Sequence, residues 1–340
     1  MTIDMPDSRL NEAEHHVQQS FMKSRFFSSL LIGGAVLAVY LPMRDLPDRR
    51  LRPPATTTVR YETVKLSPVR GPLRLAGAWR AEARDRRFGG LSALAIEKGR
   101  FVAVSDLGAA IRFDPPSAAS PKVRIVDLGD GPGDPGFKAS RDAESLARDR
   151  SGVGWWVGFE QRHSLWRYDD EFAHGAIVAA LDRPDWKRNR GIEAILVEGD
   201  SLLLAAENGR EAVQIDRRGI ARIAWSVGME VADAATAPDG TQWLLLRGKG
   251  LRGISQAIAP LVRSATGYRI GALWAVPKAP LDNYEGMVIA ARPGGGWRIW
   301  LVTDDGHRIF ARTLLVALDL DRGPQKQTPD VKRRASNSPR

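Results

Sequence analysis

A short acidic phrase returns along this chain at near-regular intervals, and that periodicity limits the folds open to it. It reads Asp142-Ala143-Glu144-Ser145-Leu146, then Gly191-Ile192-Glu193-Ala194-Ile195, then Asn283-Tyr284-Glu285-Gly286-Met287. Degenerate copies stand at Gly90-Leu91-Ser92-Ala93-Leu94 and Val231-Ala232-Asp233-Ala234. The anchors Ser92, Glu144, Glu193, Asp233 and Glu285 are separated by 52, 49, 40 and 52 positions. A period of this size marks a repeat architecture, in which each unit buries its apolar surface against its neighbours.

Each anchor leads into the same succession of segments. A glycine-bearing turn comes first, such as Glu97-Lys98-Gly99 or Glu198-Gly199-Asp200. Then comes an apolar strand, such as Phe101-Val102-Ala103-Val104 or Trp243-Leu244-Leu245-Leu246. Four of these second strands run into another acid: Asp106, Glu160, Glu207 and Asp304. The Asp233 copy carries Arg247 there. Two further strands complete each unit. This grammar predicts an all-β chain, a β-propeller of five or six four-stranded blades. An open sheet edge invites aggregation, so the ring is expected to close by pairing residues 73–79 with residues 314–320, joining both ends of the chain in one blade.

Outside the repeats, residues 1–25 are a polar extension. The apolar run 26–42, behind Lys23 and Arg25, has the pattern of a signal anchor or signal peptide with one N-terminal apolar helix. Met22 is an alternative start. Residues 43–58 read as a Pro- and Arg-rich linker, 59–321 as the propeller, and 322–340 as a disordered basic tail. The expected location is periplasmic, tethered to the inner membrane, or secreted if the segment is cleaved. Much of the formal net charge of +10 sits in the flanks: 44–52 holds four Arg against two Asp, and 326–340 five basic residues against one Asp. No nucleic-acid partner is expected from such a distribution. With no cysteine, disulfides and thiolate metal sites are excluded.

Innermost strands line a propeller's channel, so the anchor acids should converge at one mouth, with the second acids returning to the same rim. Clustered carboxylates repel unless a cation or raised pKa values relieve them. An oxygen-only ligand set suits Ca²⁺. On this reading Glu144, Glu193, Glu285 and Asp304 are metal ligands. Glu160, Glu207 and Asp106 are catalytic groups, as ligands or general base. Arg162, Arg210 and His163, in the following turns, would bind a small anionic ester. The competing reading is structural: acids that cap turns and arginines that neutralise them.

The ordered phrases Phe88-Gly89-Gly90-Leu91-Ser92-Ala93-Leu94, Val104-Ser105-Asp106, Asp142-Ala143-Glu144, Gly158-Phe159-Glu160, Asn189-Arg190-Gly191-Ile192-Glu193, Ala205-Ala206-Glu207-Asn208 and Asn283-Tyr284-Glu285-Gly286-Met287 resemble the bacterial phytase-like propeller family, labelled "esterase-like activity of phytase". The resemblance spans about residues 72–320. It implies the propeller fold and marks Ser92, Asp106, Glu144, Glu160, Glu193, Glu207 and Glu285 as recurring polar positions. Together with the acidic rim and the N-terminal segment, it points to an exported hydrolase acting on phosphate or other esters with metal assistance. Two signature motifs of well-described β-propeller phytases do not occur here. That motivates the alternative, a non-catalytic envelope propeller binding a ligand or protein partner.

Overall fold

The computed structural model describes residues 51–321 apart from 70, 136, 182–190, 251–252, 266, 280–282 and 308–310. The polar extension, the apolar segment 26–42 and the basic tail lie outside the described residues. Among those described, no helix is long and apolar enough to cross a membrane. The chain divides into a unit Met1–Leu46 and a unit Pro47–Arg340, which holds every described element.

The elements are almost all strands, in chain order. β1 (Ala55–Thr63) and β2 (Arg74–Ala83) come first. Blade 1 is β3 (Leu91–Glu97), β4 (Arg100–Ser105), β5 (Ala109–Phe113) and β6 (Lys122–Asp127). A four-residue helix, α1 (Lys138–Arg141), leads into blade 2: β7 (Ala143–Arg148), β8 (Trp155–Phe159), β9 (Ser164–Tyr168) and β10 (Gly175–Ala180). Blade 3 is β11 (Ile192–Glu198), β12 (Ser201–Ala206), β13 (Ala212–Asp216) and β14 (Gly219–Ile223). Blade 4 is irregular. After the short β15 (Trp225–Ser226) come β16 (Glu230–Thr236), β17 (Gln242–Gly250) and β18 (Gly253–Ser264). β18 then pairs with β19 (Gly267–Ile270) along one half and β20 (Trp274–Ala275) along the other. β21 (Asn283–Ala291), β22 (Trp297–Asp304) and β23 (Leu314–Leu320) begin blade 5.

The first strands finish it. β2 pairs antiparallel with β23, Arg74 opposite Asp319 and Trp79 opposite Leu315, as expected from ring closure. β1 begins earlier than anticipated: residues 55–58, assigned to the linker, pair with β6 of blade 1, while residues 59–63 pair with β2 of blade 5. One strand thus clasps the outer edges of two blades and covers unpaired backbone that would otherwise template association.

The five innermost strands, β3, β7, β11, β16 and β21, each contact the next, and β21 returns to β3. Five apolar clusters lie between consecutive blades. One joins Leu91 and Phe101 of blade 1 to Val302 and Leu315 of blade 5; another joins Val102 and Val104 to Trp155 and Val157 of blade 2. Three more seal blades 2 to 3, 3 to 4 and 4 to 5. Of the expected five or six blades, five close the ring. Because each blade is packed on both faces, its strands are continuously apolar: Leu202 and Leu204 face blade 2, Leu203 and Ala205 face blade 4. Burying each such leucine stabilises by about 1.5–3 kcal/mol. In the β3–β4 hairpin, Lys98 (φ 49°) and Gly99 (φ 77°) form a two-residue loop with both φ positive, the geometry that follows strand twist.

Candidate active site: an acidic propeller mouth

Four anchors occupy one structural position, the second residue of the innermost strand or one beyond it. There the pairing register slips by one residue at Ser92, Glu144, Glu193 and Glu285. Such a bulge re-aims a side chain out of the sheet plane. In blade 4 the slipped residue is Ala232, so Asp233 is not the fourth anchor but its successor, a correction to the sequence reading. Asp233 is buried and accepts hydrogen bonds from the backbone N–H of Met287 (2.6 Å) and of Ala234 (2.7 Å).

The second acids return to the same rim. The Asp106 and Glu160 amides donate to the carbonyls of Gly90 and Asp142, both at 2.9 Å, and the Glu207 amide to that of Gly191 at 3.3 Å. Asp304 lies opposite Asn283, and Arg247 opposite Glu230. Gly191 is required by close approach: a Cβ there would come within 2.5 Å of the Glu160 Cα. α1 holds the entry to blade 2. The buried Arg141 guanidinium donates to the carbonyls of Leu128 (3.1 Å), Gly129 (2.9 Å) and Gly133 (3.1 Å), fixing the chain just before Asp142.

Asp142, Glu144 and Glu160 each offer a carboxylate oxygen within 4.8 Å of the others. Burial raises Glu144 well above the usual carboxylate range, and the neighbouring charges of Asp142, Glu193 and Glu160 add to it. Burial pushes Glu160 up to about 8, with Asp142 and Glu207 contributing. Burial likewise raises Asp142 against the opposing pull of Lys138. Glu193 is raised well above its usual value by burial and by Glu285, Glu160 and Glu207. Asp304 is raised by burial, Asp106 and Glu285. These mutual influences run around the mouth from Asp304 through Asp106, Asp142, Glu144 and Glu193 to Glu285.

Among the described residues, two cations enter the ring. Lys138 Nζ lies 2.5 Å from Asp106 Oδ2 and 3.9 Å from Asp142 Oδ1. Burial works against the Lys138 charge, but Asp106 and Asp142 outweigh it and raise its pKa. Arg247 reaches Glu207 (2.7 Å), Glu230 (3.1 Å) and Glu285 (2.7 Å). Although Arg247 opposes the effect, burial still brings Glu285 to about 7.

The structure therefore brings together Asp106, Glu144, Glu160, Glu193, Glu207, Glu285 and Asp304. It adds Asp142, Glu230 and Lys138, which the sequence reading had not assigned to the site. Asp142 was visible as the first residue of the acidic phrase, but its approach to Glu144 and Glu160 was not. The proposed substrate-binding residues are less central. Arg162 and Arg210 are exposed and, among the described residues, make no ion pair with these acids. His163 is buried in the turn after β8, its amide donating to the Glu160 carbonyl at 2.9 Å. Arg112 pairs with Glu97 at the other end of β3 and stacks over Phe172. His307 approaches the mouth, its Nε2 3.7 Å from Asp106 Oδ1.

A closed ring of blades with carboxylates gathered at one mouth defines a β-propeller. The chain belongs to the Phytase-like family, described as "esterase-like activity of phytase", whose profile matches residues 86–255. No curated protein sequence matches it. Similar solved structures include a glutaminyl cyclase of Myxococcus xanthus (14% identity, TM-score 0.44, covering 75% of this chain and 99% of that one). A Bacteroides thetaiotaomicron protein is 12% identical at TM-score 0.47, covering 78% of this chain and 76% of that one. The Neurospora crassa Pan2 WD40 domain is 9% identical at TM-score 0.39, covering 76% and 98%. None of the three bears on the chemistry of this mouth.

Proposed function

We propose that this propeller is a metal-assisted hydrolase of phosphate or other esters, with Ca²⁺ held by Asp142, Glu144 and Glu160. The observation that carries the reading is the approach of their three ligand oxygens to within 4.8 Å. The residues fit such an ion: all donors are hard oxygens, and Asp142 Oδ1 is buried without a hydrogen-bond partner among the described residues. A bound Ca²⁺ would supply polarisation of the ester oxygen and a lower pKa for an attacking water. Glu193, whose charge acts on that of Glu144, would take the proton of that water. Lys138, a third exposed, has donors to spare for the anionic part of the substrate.

Purified full-length protein should hydrolyse members of an ester panel and lose that activity with chelator. Glu144→Gln should abolish the metal dependence, and Glu193→Gln should lower turnover by about 10²–10⁴-fold. Unchanged rates in both variants would sink the assignment. A second reading, ligand binding without turnover, is favoured by Arg247, which already occupies three of the acids. Saturable ligand binding with no hydrolysis of any ester would select it.

The reading includes a location outside the cytoplasm, tethered through 26–42. A C-terminal reporter active only outside the cytoplasm should be active; a well-expressed, membrane-bound, silent fusion would refute the topology.

A further inference from the structure

Blade 4 departs from the ring at both of its mouth positions. Where the other blades carry Ser92, Glu144, Glu193 and Glu285, it has Ala232. Where they carry Asp106, Glu160, Glu207 and Asp304, it has Arg247. Arg247 is only 8% exposed, and its guanidinium spans three blades. Its Nη2 donates to Glu207 of blade 3, its Nε to Glu230 of blade 4 and its Nη1 to Glu285 of blade 5. Each guanidinium nitrogen is engaged, and each of the three acids has one oxygen committed to it. An arginine is not deprotonated in proteins, so this cation is permanent.

The opposite side of the mouth differs. Asp142 and Asp106 are 4% and 5% exposed, and the Oδ1 atom of each is buried with no hydrogen-bond partner among the described residues. Among the described residues, their nearest cation is Lys138, on a four-residue helix and a third exposed. These carboxylate oxygens on blades 1 and 2, with His307 3.7 Å from one and Lys138 3.9 Å from the other, are open to a ligand charge.

We propose that Arg247 is a resident cation that closes the blade 3–4–5 side of the mouth to metal, restricting the site to a single divalent cation on the blade 2 side. The inference rests on the metal-assisted reading above for that one ion. Arg247 then sets metal stoichiometry without touching the metal: it pairs with Glu207, Glu230 and Glu285, and its loss would remove the cation these three acids share.

Equilibrium dialysis of the full-length chain against calcium, with metal analysis of the protein, tests this directly. The expected result is one ion per chain for the wild type and for Arg247→Lys, and two for Arg247→Gln with unchanged circular dichroism. Two or more ions on the wild type would overturn the proposal, whether or not the variants fold. So would a folded Arg247→Gln protein binding no more than the wild type. If the wild type binds none, the metal-assisted reading fails; a single ion gained by Arg247→Gln would then still support the role of Arg247, and none would overturn it.

Discussion

Asp233 shows how much one position of register decides. Grouped by its neighbours, it joins the anchor acids; placed by pairing, it is the residue after the bulge, buried between strands. Its two oxygens take N–H groups from Met287 on β21 and Ala234 on β16. One carboxyl on β16 therefore fastens that strand to β21. Ser145, at the matching position of β7, does the same on a smaller scale, its hydroxyl donating to the Ile192 carbonyl of β11 at 2.6 Å. Asp233→Ala would orphan at least two buried donors, each costing about 1–3 kcal/mol, so a loss of roughly 3 kcal/mol is expected in urea denaturation. Asp233→Asn keeps one acceptor oxygen but turns an amide donor toward an N–H, and should cost about half as much. An unchanged urea midpoint for Asp233→Ala would show that Asp233 is not a fastener.

At the scale of elements, the strands of the regular blades were legible because burial on both faces leaves long apolar runs bounded by glycine turns. Closure of blade 5 was legible too, since a propeller with a free edge is unstable to association. The start of β1 was not. Thr56-Thr57-Thr58-Val59 is a β-branched run suited to a strand, but the prolines and arginines before it point to a linker. Only its pairing with β6, across more than sixty residues, makes it a strand. The divided outer edge of blade 4 and the helix α1 were hidden for the same reason. α1 is held by carbonyls that collect around Arg141, not by any helical pattern of its own.

For the whole molecule, a basic chain carries a concentrated acidic mouth, and that has a consequence for pH. Burial and like charge lift Glu285 to about 7 and Glu160 to about 8, from an ordinary 4.5. The folded state then keeps protons that the unfolded chain releases. Their contribution to stability is present below about pH 4.5 and is lost as pH rises through 7 and 8. Carboxylates held low, such as Asp85 by its hydrogen bond from Arg87, matter only at more acidic pH. In chelator, the melting temperature should fall between about pH 5 and about pH 8, and added Ca²⁺ should flatten the fall by replacing protons with a cation. A melting temperature that is flat or rising across that range in chelator would contradict this.

The sequence by itself determined the repeat, the all-β class, the closure of the ring by its two ends, and the convergence of Asp106, Glu144, Glu160, Glu193, Glu207, Glu285 and Asp304. All of these rest on period and polarity, which are local properties of the chain. The tertiary structure alone decided that five blades complete the circle and that Asp142 joins Glu144 and Glu160. It also decided that Asp233 fastens strands and that Arg247 neutralises acids of three blades at once. Each of these depends on the register between strands distant in sequence, where a slip of one residue sends a side chain to the opposite face.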